Sequence, residues 1–196
     1  MRKEWNEIKR EKLQIFVCEQ YHIIKNDRRS FAFMISKSSD DVAAELFTDC
    51  LSAETRALDS LTLLAQELGI RGGSSDRIES YEPLAGCQAY TNYLTRLAVY
   101  GSDAEILAAM LVDLPVWGSN CSKISSFLKK NHGFTNSSCI FLDQFATPIP
   151  EDFIKKSNIL MIGHKVPQKV NAMQRAARLI LEYELLFWNT IYIRSI

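Results

Sequence analysis

Two acidic residues stand on stretches that are otherwise apolar. Asp113 lies within DAEILAAMLVDLPVWGSNCSKISSFLKK, from Asp103 to Lys130. There Ile106, Met110, Asp113, Trp117 and Cys121 recur three or four residues apart and so share one helix face. Glu184 stands on the inward line Val170, Met173, Ala177, Ile180, Glu184, Phe187 and Ile191, with Tyr183 and Trp188 beside it. An ionised group buried without a partner is strongly disfavoured. Each acid therefore needs a core arginine, such as Arg96 or Arg178, or a cavity in which to act. With Tyr90, Trp117, Phe145 and Trp188 as walls, the second arrangement describes a flat slot for a planar heterocycle. A carboxylate in such a slot pairs with an amidine-like or ammonium group. It also moves a proton if burial raises its pKa toward neutral. On that reading Glu184 suits a general acid or ligand anchor, and Asp113 a base or nucleophile. Glu54 is either a third acid facing the site or a rim residue paired with an arginine.

The elements that must carry these residues read as helices throughout. Trp5, Ile8, Leu13, Phe16, Val17, Gln20 and Ile24 recur near helical spacing, so a first helix is expected from about Trp5 to Ile24, broken at Asn26-Asp27. The type of RRSFAFMISKS stays open. From Asp40 a stretch rich in Ala, Leu and Glu predicts a long helix that ends at Gly69, followed by the connector RGGSSD. Pro83 marks the start of a helix running to about Val99. Gly101 closes it, and Ser102 or Asp103 caps the next, with Glu105 in its first turn. So short a link makes these two helices antiparallel neighbours and sets Tyr90 and Asp113 at similar depth, roughly 15–20 Å from the turn. Pro115 removes an N–H from the middle of the central helix, and Gly118 follows it, which suggests a bend at the site. NHGFTNSS is a loop, CIFLDQFATPIP ends at two prolines, a helix covers Glu151 to about Ile162, and Pro167 opens the last. No alternating strand-like run occurs. The expectation is an all-α bundle of six to eight helices, one domain spanning residues 1–196.

The whole chain narrows the function classes. Its 196 residues carry 23 Lys plus Arg against 23 Asp plus Glu, so no global field points to nucleic acid or an anionic membrane. No apolar run approaches the length of a membrane span, and the charged start MRKEWNEIKREK does not read as a secretory leader. Five scattered cysteines without a CxxC pair read as reduced thiols, which suits the cytoplasm. The histidines His22, His132 and His164 are not paired at metal-ligand spacing, and the Glu-x-x-His pairs of a di-iron bundle are absent. A lone His22 on the first helix reads as an ordinary hydrogen-bonded histidine rather than a haem ligand. RGGSSD lacks the lysine of a phosphate loop, and no histidine sits beside a nucleophile as a hydrolase triad requires. No metal or cofactor is expected.

Three pieces carry a family resemblance. YTNYLTRLAVYGSDAEILAAML, from Tyr90 to Leu111, is similar to a tyrosine-bearing helix, Gly-polar turn and helix start. DLPVWGSNC occupies the place of a Cys-x-x-x-Tyr active-site segment, and EYELLFW looks like a closing Glu-x-x-Phe-Trp signature. Together they resemble the TenA/PqqC family, which has the haem-oxygenase-like helical fold and includes thiaminase II. The resemblance implies a small heterocyclic ligand, such as a thiamine-derived aminopyrimidine, and a dimer or tetramer. It implies that Tyr90 is the pocket tyrosine and Glu184 the acid that binds the aminopyrimidine and moves protons. Asp113 stands where thiaminase II has its nucleophilic cysteine, Trp117 replaces a tyrosine, Phe145 replaces another, and Gln20 falls near the place of an early pocket aspartate. Cys121 and Cys87 are the substitute thiols to consider. EQYHIIKNDRRSFAF is closer to the PqqC side, the cofactorless oxidases, whose His- and Arg-rich pocket is not visible. The readings carried forward are thus a hydrolase, a non-catalytic ligand- or protein-binding module, and a PqqC-type oxidase. The site set is Glu184 and Asp113 for chemistry, with Tyr90, Trp117, Phe145, Glu54 and Tyr183 for binding.

Overall fold

The computed structural model describes residues 9–70, 77–163 and 166–193. Within them the chain forms seven helices: α1 (Arg10–Lys37), α2 (Asp41–Glu67), α3 (Ala85–Tyr100), α4 (Asp103–His132), α5 (Ile140–Ala146), α6 (Glu151–Ile162) and α7 (Pro167–Ile193). No strand occurs among the described residues, and none of their helices is long and apolar enough to cross a membrane. Trp5 and the connector RGGSSD lie outside the described residues.

Helix starts follow the local chemistry. Asp40 caps α2 by accepting from the N–H groups of Val42 and Ala43 at 2.9 and 3.0 Å. Ser102 and Glu105 form a reciprocal capping box at α4, so both candidate cap signals there resolve to Ser102. Gly133 closes α4 at φ +68°, a conformation that side chains other than glycine's disfavour. One expectation is corrected. α1 does not break at Asn26-Asp27, because Asp27, Ser30, Phe31 and Met34 continue its buried face. RRSFAFMISK is thus the C-terminal end of α1, with Ser38 its C-cap. α4 runs through Pro115 and stays helical for 30 residues.

α1 packs on α2 and α3, α4 on α7 and α5, and α3 on α7; the contact of α3 with α4 is slight, despite the short turn between them. Two apolar clusters result. One gathers Phe16, Leu64, Cys121, Phe141 and Phe187, and the other Phe47, Leu94, Leu97, Ile106 and Ile180. Tyr90 packs against both, which sets it at their junction. At Gly118 a Cβ would stand 2.4 Å from the carbonyl oxygen of Phe145. The missing side chain is what lets α5 lie close on α4 and bring the Phe145 ring to the site.

Candidate active site

At that junction lies a cavity enclosing, with its mouth, about 490 Å³ of unfilled space. Its lining includes the acids Asp27, Glu54, Asp113 and Glu184, the aromatic rings of Tyr90, Trp117, Phe145 and Phe187, and Gln20. Asp113 and Glu184, predicted from separate stripes, therefore face one space. Among the described residues neither is paired with an arginine. Arg178 pairs with Glu182 on the exposed face of α7 at 2.7 Å, and Arg96 lies over the Tyr93 ring, 6.0 Å from its centroid.

The two acids are held differently. The Tyr90 hydroxyl donates to Asp113 Oδ2 at 2.7 Å. Glu184 Oε1 accepts from Trp188 Nε1 at 2.9 Å and from Asn120 Nδ2 at 3.2 Å. Their remaining oxygens, Asp113 Oδ1 and Glu184 Oε2, are buried and have no hydrogen-bond partner among the described residues. Burial pushes Asp113 well above the ordinary carboxylate range, and the charge on Glu184 raises it further against the Tyr90 hydrogen bond. Burial raises Glu184 too, with Trp188 and Asn120 pulling it back. The two carboxyls act on each other in opposite senses: the Glu184 charge favours the protonated form of Asp113, and Asp113 favours the charged form of Glu184. The two N–H donors on Glu184 likewise favour the charge on Glu184 and the proton on Asp113.

Around the pair the aromatic residues form a continuous wall. Trp117 stacks on Trp188 at 5.3 Å and on Phe16 at 6.1 Å, and meets Phe145 edge to face at 5.9 Å. Tyr183 is not among the cavity's lining residues; it lies against Tyr93 at 5.0 Å. One residue before Glu184 on a helix is about 100° away around the axis, which explains the difference.

Sequence reasoning missed Asp27. It is buried, lines the cavity, and its Oδ1 accepts from the Thr91 hydroxyl, which in turn accepts from Asn26 Nδ2 at 2.8 Å. Burial raises its pKa from 3.8 to about 7. The available signal was its place seven residues after Gln20, on the same face of a continuous helix. Glu54 also lines the cavity, and burial with the nearby Asp27 carboxyl raises it well above the usual range. No ion pair joins it to an arginine among the described residues; Arg28 acts on it only at longer range, with its own Nε buried and unpartnered.

The thiols are poor nucleophiles. None of the five cysteines forms a disulfide. Cys121 is fully buried and held well above its ordinary pKa by burial and the Glu184 charge, and Cys87 is raised similarly beside Glu19. His22 lies between Tyr21 and Tyr81, and its Nε2 has no hydrogen-bond partner among the described residues, contrary to the expectation of an ordinarily bonded histidine. Among the described residues no three His, Cys, Asp or Glu side chains converge as a metal ion would require.

Comparison with known proteins agrees with this architecture. A TenA homologue from Pyrococcus furiosus superposes with a TM-score of 0.71 at 21% identity, covering 97% of this chain and 90% of that one. A TenA homolog from Pseudomonas syringae pv. tomato gives 0.77 at 11% identity, covering 97% and 84%. The fold is accordingly the all-α, haem-oxygenase-like bundle. An aminopyrimidine aminohydrolase from Halalkalibacterium halodurans is 30% identical over 105 residues, which cover 53% of this chain and 46% of that enzyme. The family model described as the TENA/THI-4/PQQC family matches residues 5–194, nearly the whole chain, and the chain belongs to that family.

Proposed function

We propose that this protein binds a planar amino-substituted heterocycle of the aminopyrimidine kind and hydrolyses its exocyclic carbon–nitrogen bond, in the manner of thiamine salvage. The observation that carries the reading is the Asp113–Glu184 pair, two buried carboxyls lining one aromatic cavity, each with an oxygen that has no partner among the described residues. The name of the Halalkalibacterium halodurans relative supports the same substrate class.

The chemistry needs one base and one acid. The Glu184 carboxylate takes a proton from water as its oxygen bonds to the ring carbon bearing the amino group. Protonated Asp113 then gives its proton to the departing nitrogen. The carbon–nitrogen bond breaks, ammonia leaves, and the ring keeps the oxygen as a carbonyl. The pair ends with the same number of protons it began with. This assignment exchanges the roles suggested by sequence, because two N–H donors hold the charge on Glu184. Tyr90 fixes Asp113, while Trp117, Phe145 and Phe187 hold the ring. No thiol takes part, in keeping with Asp113 at the family's cysteine position.

That same replacement motivates a second reading, a binding module that retains the cavity without turnover. Ammonia release from thiamine-derived aminopyrimidines decides between them. Wild type releasing ammonia and Glu184→Gln not doing so supports the hydrolase. A rise in melting temperature with the same compounds, without release by either protein, supports the module.

A further inference from the structure

We propose that Asp27 and Glu54 form a second anchor in this cavity, one that takes a separate basic nitrogen of the ligand and so selects planar rings bearing two basic groups. The inference rests on the reading of the cavity as a ring-binding site. The four acids reach the cavity from two helix pairs. Asp113 and Glu184 come from the packed helices α4 and α7, whereas Asp27 and Glu54 come from the packed helices α1 and α2. Tyr90, on α3, stands where the charges of Asp27, Glu54 and Asp113 all act on its hydroxyl.

Asp27 is 4% exposed and lines the cavity, yet only its Oδ1 has a hydrogen-bond partner, Thr91. Its other oxygen accepts nothing from the described residues. Glu54 is half-buried, lines the same space, and has neither hydrogen bond nor ion pair among the described residues. Acids without partners in a buried cavity are costly, and the Asp27 carboxyl raises the pKa of Glu54. A plain packing role would supply a donor for these oxygens, as Tyr81, Gln88 and the Leu84 N–H do for the wholly buried Glu19. Here the missing donor is the ligand's. Asn26 and Thr91 fix the direction of Asp27, since Asn26 Nδ2 binds the Thr91 hydroxyl that donates to Asp27 Oδ1. One ammonium or amidinium group between Asp27 and Glu54 would satisfy both acids, while the Asp113–Glu184 pair holds the other end of the molecule.

The test compares binding of benzylamine, one ammonium on a planar ring, with p-xylylenediamine, two, by calorimetry on the full chain. Wild type should bind the diamine about ten- to a hundred-fold more tightly, the worth of one charged hydrogen bond. Asp27→Asn/Glu54→Gln should bring the diamine down to the affinity of the monoamine. If that double variant does not fold, Glu54→Gln alone, on a half-buried side chain without partners, carries the same comparison. Equal affinities in wild type, a preference that survives the substitutions, or no binding of either amine would overturn the second anchor. Ammonia release is measured separately, so loss of the hydrolase reading and loss of this anchor are told apart.

Discussion

The Tyr90 hydroxyl and Asp113 Oδ2 meet at 2.7 Å across two helices that otherwise touch little. This hydrogen bond occupies Oδ2 and leaves Oδ1 without a partner among the described residues, so it sets which Asp113 oxygen is available in the proposed mechanism. Removing the hydroxyl with Tyr90→Phe leaves the ring in both apolar clusters but frees the carboxyl. We expect a stability loss of about 1–2 kcal/mol by denaturant unfolding, together with a larger proportional loss of turnover than of ligand affinity.

In the proposed mechanism Glu184 carries the charge of the pair, favoured by hydrogen bonds from Trp188 and Asn120. Glu184→Gln keeps the shape and removes the base, so ammonia release should fall roughly 10²- to 10⁴-fold. Asn120→Ala should have a smaller effect of the same sign and shift the pH–rate profile, because one N–H that favours the charged form is gone. A profile identical to wild type would argue against that role.

Asp27 gives a pH signature in stability. Between about pH 4 and pH 7 the unfolded chain has lost this proton while the folded chain keeps it. The unfolded state then binds fewer protons, so the contribution of Asp27 to stability declines as pH rises through that window. Asp27→Asn should therefore favour the folded state more at pH 8 than at pH 4, by a difference on the order of 1–3 kcal/mol in the free energy of unfolding. A difference that is flat with pH would contradict the raised pKa.

Gly118 is a steric prediction. A Cβ there meets the Phe145 carbonyl oxygen at 2.4 Å, backbone against which no rotamer can yield. Gly118→Ala should cost about 1–3 kcal/mol and displace the Phe145 ring from the cavity, raising KM. Unchanged unfolding midpoints and KM would show that α5 moves freely away from α4.

Much of this arrangement could be read from the chain because helical spacing is a strong signal. A single acid on an apolar stripe marked both Asp113 and Glu184, and the short turn at Gly101 set Tyr90 level with Asp113. Asp27 was hidden by its neighbours: Asn26, Arg28 and Arg29 make a polar run that looks like a break, although Ser30, Phe31 and Met34 carry the buried face onward. Periodicity also left Glu54 undecided, since a half-buried acid at the edge of a stripe suits a rim and a cavity equally. Tyr183 followed from its nearness to Glu184 in sequence, where one residue is enough to turn a side chain to another face. The slight contact between α3 and α4 was not legible either, because α7 takes the space beside α3 and the chain alone does not say which helix will.

The central claim is that Asp113 stays protonated near neutral pH because burial and the neighbouring Glu184 charge hold its proton. Carbon-13 NMR of aspartate-labelled protein, assigned with Asp113→Asn, reads this directly. The account predicts that the Asp113 carboxyl remains in its protonated form at pH 7 and titrates at lower pH in Glu184→Gln. A carboxyl that titrates near 4 in wild type, unmoved by the Glu184 substitution, would contradict it.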